Sequence, residues 1–184
     1  MATSTESTVV YAAGVVQGVA LVTFPAAGAI LTDPAEYDLT STQYGLLFVP
    51  QVVTAITAAL LGASLSGRFG TKRVLLAGLA AGLAAMTLLL VSQFFIDDTS
   101  VAYGLLLVAT GALGVGFGLT VPTLNTLTAA FHADNPERSV LVLNALLGCG
   151  TVLAPVFVAV SVFSVGTVSP KPTPSAPVAT RSRP

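Results

Sequence analysis

The chain has 184 residues, 54% of them hydrophobic and only 8% charged, with a formal net charge of −1 and a mean hydropathy of +0.88. A soluble domain carries roughly 25% charged residues, and one of this length could not hide so much apolar surface in a single core. The charge balance leaves no basic footprint for nucleic acid. The one cysteine, Cys149, excludes an internal disulfide and a cysteine-based metal site.

The few charges avoid five long apolar stretches, at about 9–31, 44–65, 74–95, 101–131 and 139–165. Each exceeds the roughly 20 helical residues needed to cross a hydrocarbon core of about 30 Å. The fold class is therefore all-α: a polytopic transmembrane helical bundle in contact with the lipid bilayer. Residues 1–8 precede the first span without a Lys or Arg, so the chain lacks the basic start of a cleavable signal peptide.

The connections are short, which predicts that consecutive helices are antiparallel neighbours. Residues 32–43 carry Asp33, Glu36 and Asp38, and residues 96–100 carry Asp97 and Asp98. Residues 66–73 carry Arg68, Lys72 and Arg73, and residues 132–138 carry His132, read as solvated, and Arg138. Loops rich in Lys and Arg stay in the cytoplasm. This puts the 2–3 and 4–5 loops there, together with the N-terminus, in a multi-pass protein of the cell (plasma) membrane.

Helix starts are expected at Ser41 or Thr42, at Thr99 or Ser100, and at Asn135 followed by Pro136 and Glu137. Pro25, Pro50, Pro122 and Pro155 fall within spans, where each removes a backbone donor. Tyr11, Tyr44, Tyr103 and the Phe94/Phe95 pair lie near span ends, as in an interfacial aromatic belt. Cys149 reads as a small packing residue. Residues 166–184 are rich in Pro, Ser and Thr and predict no packed helix. They read either as a frameshifted or truncated end where a sixth span should begin, or as an ordinary disordered tail.

Three pairs at i and i+4, Gly14/Gly18, Gly78/Gly82 and Gly114/Gly118, are small-residue faces for close helix packing. The polar residues inside the spans are few. Gln17, Thr23, Gln51, Thr54, Asn125 and Asn144 are the substrate-cavity candidates; interhelical hydrogen bonding is the competing reading for each. No Asp, Glu, His, Lys or Arg lies in any span, so proton coupling has no group at membrane depth. No catalytic, metal or cofactor constellation is visible, and the reading is not an enzyme.

The segment Gly62-Ala63-Ser64-Leu65-Ser66-Gly67-Arg68-Phe69-Gly70-Thr71-Lys72-Arg73 resembles the loop signature G-x-L-a-D-R-x-G-r-k between the second and third helices of major facilitator superfamily transporters. Leu65, Arg68, Gly70 and Lys72 match it. Ala63 departs from the leading glycine and Gly67 from the aspartate. The start of span 2 (Ser41–Phe48), span 4 (Gly114–Leu127) and span 5 (Glu137–Pro155) also look like that family's. Span 5 only loosely resembles an antiporter signature.

The resemblance implies the first five helices of a twelve-helix transporter for a small solute, working by alternating access and inactive alone. Leu65, Arg68, Gly70, Lys72 and Arg73 would then form a cytoplasmic gating or topology loop. Gly67 cannot supply the aspartate's charge to a gating network. The implied partners are a small-molecule solute and the C-terminal half of the transporter. The alternative is a non-transporting membrane partner, such as one half of a split transporter or an assembly subunit.

Overall fold

The structure, a computed structural model, describes residues 4–166. Among these, every regular element is helical. Helix α1 (Ser4–Ala26) and the single turn α2 (Gly28–Leu31) make span 1. Helices α3 (Ser41–Leu46) and α4 (Phe48–Phe69) make span 2. Helix α5 (Thr71–Ser92) with a 3-10 turn (Gln93–Phe95) makes span 3. Helix α6 (Thr99–Phe131) is span 4 and α7 (Pro136–Gly166) is span 5. All five are long and apolar enough to cross a membrane.

The breaks have local causes. Pro50 has no N–H to give the Leu46 carbonyl, and span 2 is interrupted beside it at Leu47. Pro25 stands in the last turn of α1, which ends at Ala26. By contrast α6 and α7 run on through Pro122 and Pro155.

The helix starts lie one residue upstream of two expected caps. Thr40 caps span 2: its hydroxyl accepts from the Gln43 N–H at 3.2 Å, while the Gln43 side chain accepts from the Thr40 N–H at 2.9 Å. This reciprocal capping box outcompetes Ser41 or Thr42. Asp98 caps span 4, accepting from the Val101 N–H at 3.2 Å. A carboxylate at a helix N-terminus gains from the dipole as a hydroxyl does not.

The packing order departs from the chain order. Span 4 is the hub, packed against spans 2 and 3 and also against spans 1 and 5. Span 1 packs chiefly on span 5, not on span 2, which follows it. Short loops make neighbours in sequence antiparallel. In lipid, however, no hydrophobic drive pulls helices together, so the closest pairs are those whose small residues let backbones meet.

The two ends of the bundle differ. At one end, residues 32–40 fold inward as a strap. The Asp33 side chain accepts from the Ala35 N–H at 2.8 Å, Asp38 adopts φ +50°, and the Leu39 N–H bonds the Leu31 carbonyl at 3.1 Å. Asx turns and left-handed Asp are a standard use of these side chains. The strap inserts Tyr37 and Leu39, each 3% exposed, into a core with Phe24, Leu31, Leu47 and Leu106. At the opposite end, the connection between spans 2 and 3 shrinks from an eight-residue loop to the single residue Gly70.

Candidate functional site

The six cavity candidates separate by what their polar atoms meet. Thr23 turns its hydroxyl back to the Val19 carbonyl of its own helix at 2.9 Å. Thr54 Oγ1 lies 2.8 Å from the Gly111 carbonyl of span 4 and 2.8 Å from its own Pro50 carbonyl, one hydrogen serving both acceptors. It ties spans 2 and 4. Asn125 and Asn144 come together: the Asn144 amide donates to Asn125 Oδ1 at 3.4 Å and to the Val140 carbonyl at 2.9 Å. Asn144 sits on the exposed side of span 5 and Asn125 is half-buried.

Gln17 and Gln51 differ from the rest. Gln17 is 2% exposed, and its Nε2 has no hydrogen-bond partner. The Gln51 Oε1 is likewise buried and unpartnered, as are the Thr120 and Thr128 hydroxyls. A buried amide atom left unpaired costs about 1–3 kcal/mol. These are one free donor and one free acceptor at membrane depth. The structure does not bond them to each other.

The glycine faces form the frame around these groups. A Cβ at Gly18 would land on the Leu147 carbonyl and lie 3.0 Å from Gly150 Cα. One at Gly150 would land on the Val15 carbonyl. A Cβ at Gly14 would lie 2.8 Å from Leu143 Cδ1. Spans 1 and 5 therefore meet backbone to backbone.

On span 4, Gly114 rests on Gln51 and Thr54, and Gly118 on Ala55 and Ala58, all of span 2. Gly78 faces Thr120 and Leu119 of span 4. Gly82 has open space where a Cβ would be, but its backbone supports Gly116, whose Cβ would sit 2.9 Å from the Gly82 nitrogen.

The basic segment is organised by Gly70. Its φ of +88° lies in the left-handed region that favours glycine. Its N–H closes α4 on the Ser66 carbonyl at 3.0 Å, and its own carbonyl accepts from Arg73 and Val74 to open α5. Arg68, Lys72 and Arg73 are all exposed around it, with Arg68 5.5 Å above the Phe69 ring. Leu65 is half-buried, and an apolar groove of about 280 Å³ between spans 2 and 4 reaches it.

Several positions escaped the sequence pattern or depart from it. Tyr37 and Ser92 share a buried hydrogen bond of 2.8 Å, although neither stands out in the sequence. Burial pushes the Tyr37 phenol above its usual 10; the Ser92 bond draws it down and the Glu36 charge raises it. Gly150, the partner of Gly18, is separated from it by most of the chain. His132 is half-buried rather than solvated, its ring centroid 6.0 Å from that of Tyr11 and its Nδ1 3.2 Å from the Thr128 carbonyl. Cys149 faces outward rather than into the packing. Residues 167–184, and with them nearly all of the expected tail, lie outside the described residues.

The sequence was compared with protein families, curated proteins and solved structures. The family model of the Major Facilitator Superfamily matches residues 34–170, about three quarters of the chain, from the strap through span 5. Neither the curated proteins nor the solved structures give a match. Five long apolar helices, the Gly70 connection with its basic residues and the family match agree: the chain belongs to the Major Facilitator Superfamily, whose members are transporters.

Proposed function

We propose that this chain is the N-terminal portion of a transporter that moves a small uncharged or amphipathic solute by alternating access. The observation that carries the reading is the pair of unpartnered buried amide atoms, Gln17 Nε2 and Gln51 Oε1, in apolar stretches (residues 9–31 and 44–65) that hold no Asp, Glu, His, Lys or Arg. One offers a hydrogen bond and the other accepts one, as a neutral polar solute requires. Thr54, Thr23 and the Asn125–Asn144 pair act as interhelical or intrahelical ties beside that contact.

Transporters of this architecture bind at the midplane, between two halves that rock against each other. Five helices supply one wall of such a path. The chain alone therefore moves no solute, and gains activity when a chain bearing the remaining helices completes it. Spans 2–3 and 4–5 connect on the cytoplasmic side of the plasma membrane, where Arg68, Lys72, Arg73 and Arg138 are retained.

The test is uptake of a panel of neutral solutes into liposomes holding the pure chain, set against empty liposomes and against liposomes that also hold the complementary half. Uptake by the chain alone overturns the fragment reading. Sidedness is read separately, with a membrane-impermeant maleimide in a Cys149→Ala background. Ser66→Cys should be protected in right-side-out cells and Asp97→Cys labelled; the reverse pattern overturns the orientation.

A further inference from the structure

The apolar groove between spans 2 and 4 does not serve the polar contact described above. Its span 2 wall is Thr54, Thr57, Ala58, Leu61 and Leu65, and Val115 and Leu119 of span 4 close it. Both threonine hydroxyls are spent on backbone carbonyls, Thr54 on those of Pro50 and Gly111 and Thr57 on that of Val53, each at 2.8 Å. The groove therefore presents hydrocarbon only. From Thr54 to Leu65 it runs about 16 Å at 1.5 Å per residue. That is half of a hydrocarbon core of about 30 Å, one leaflet deep.

The same helical stripe continues past the groove. Steps of three or four residues lead from Leu61 to Leu65 and then to Arg68, so Arg68 stands one turn beyond the open end on the groove's own face. Lys72 and Arg73 follow just across Gly70. All three cations are exposed, and none forms an ion pair among the described residues. An apolar trough one leaflet long, headed by three exposed cations at the level of the headgroups, matches one ligand in both length and charge.

We infer that this groove is a binding site for an anionic phospholipid, one acyl chain lying along Thr54–Leu65 and the phosphate held by Arg68 with Lys72 and Arg73. A zwitterionic lipid has the same chains but brings a cation against these three. The site should therefore select by headgroup, and the selection should weaken with salt. The inference is independent of the transported solute and of which leaflet this end faces.

The full chain in phosphatidylcholine liposomes, doped in both leaflets with a phospholipid carrying a diazirine in its acyl chain, tests this. Labelled peptides are mapped by mass spectrometry. The phosphatidylglycerol probe should label the peptide holding residues 54–65 at least about five-fold more than the phosphatidylcholine probe, five-fold being the factor for the roughly 1 kcal/mol that a single basic residue supplies.

Arg68→Gln should lower that preference about five-fold, and Arg68→Gln/Lys72→Gln/Arg73→Gln should abolish it. Arg138→Gln, at the other basic loop, should leave it intact. Raising salt should erode it in the unaltered chain, so a variant that fails to fold does not remove the test. Equal labelling by the two probes overturns the inference. So does a preference that survives the triple variant, or a groove that is unlabelled but cross-linked to a second copy.

Discussion

Gly18→Ala is the sharpest test of how this bundle holds together in a solvent as apolar as itself. The added methyl would fall on the Leu147 carbonyl and 3.0 Å from Gly150 Cα. Both obstacles are backbone and cannot rotate aside. The seam between spans 1 and 5 would have to part by about 1 Å, and a gap of that size forfeits about a quarter to a half of the dispersion well of each pair along it.

Overpacking costs about 1–3 kcal/mol, and a backbone obstacle puts this case in the upper half; alanine's better helix propensity returns about 1 kcal/mol, leaving a net loss of about 1–2 kcal/mol. Gly82→Ala is the control, because its Cβ meets nothing within 4 Å. It should be neutral or stabilising by up to about 1 kcal/mol. The assay is unfolding in mixed micelles by increasing dodecyl sulfate, followed by far-ultraviolet circular dichroism. Gly18→Ala and Gly150→Ala strain the same seam and should cost less together than the sum of the two. The reasoning is refuted if Gly18→Ala matches the parent, or if Gly82→Ala is equally damaging.

Three further outcomes follow from the polar atoms. Tyr37→Phe removes the bond to Ser92 and should cost about 1 kcal/mol in the same unfolding assay. Because the folded-state phenol titrates above its usual 10, its contribution is full below about pH 10 and is lost as pH rises through the folded value. The difference between parent and Tyr37→Phe should thus be flat from pH 6 to 9 and shrink only beyond that, as a stability titration would show. Thr54→Val deletes a tie between spans 2 and 4 and should cost about 0.6–1.7 kcal/mol in micelles. Gln17→Leu removes an unpartnered buried amide and should raise stability by about 1–3 kcal/mol while abolishing uptake by the completed transporter; retained uptake would exclude Gln17 as a solute contact.

Much of the architecture was legible because lipid imposes it. Charge-free runs long enough to span can only be helices, and the Gly14/Gly18 and Gly114/Gly118 spacings announce where backbones approach. What those faces approach was not legible. The partner of Gly18 is Gly150, most of the chain away in sequence, and loop length says nothing about which small-residue faces fit.

Tyr37 escaped notice for a related reason: a strap folding inward over nine residues has no periodicity, and Asp33, Glu36 and Asp38 disguise it as a solvated loop. Wet ends obey different energetics from the membrane interior. There Tyr37 and Leu39 leave water, where burying a large apolar side chain gains about 1.5–3 kcal/mol. At the candidate site, sequence could name the amides but not sort them. Asn144 donates to Asn125 and to the Val140 carbonyl, whereas Gln17 and Gln51 keep a buried atom unpaired, and only the helix rotations decide which is which.

The hub position of span 4 also sets a timetable. Spans 1, 2 and 3 leave the ribosome before the helix they share exists, and span 1 must wait longer still, until α7 emerges with Gly150. In the interval the Gly14/Gly18 face and the Gln17 amide lie open to lipid or to the insertion machinery. Native structure in this bundle is therefore completed late and almost at once. A chain arrested before span 4 should be a set of independent membrane helices, recognisable by quality control as unassembled.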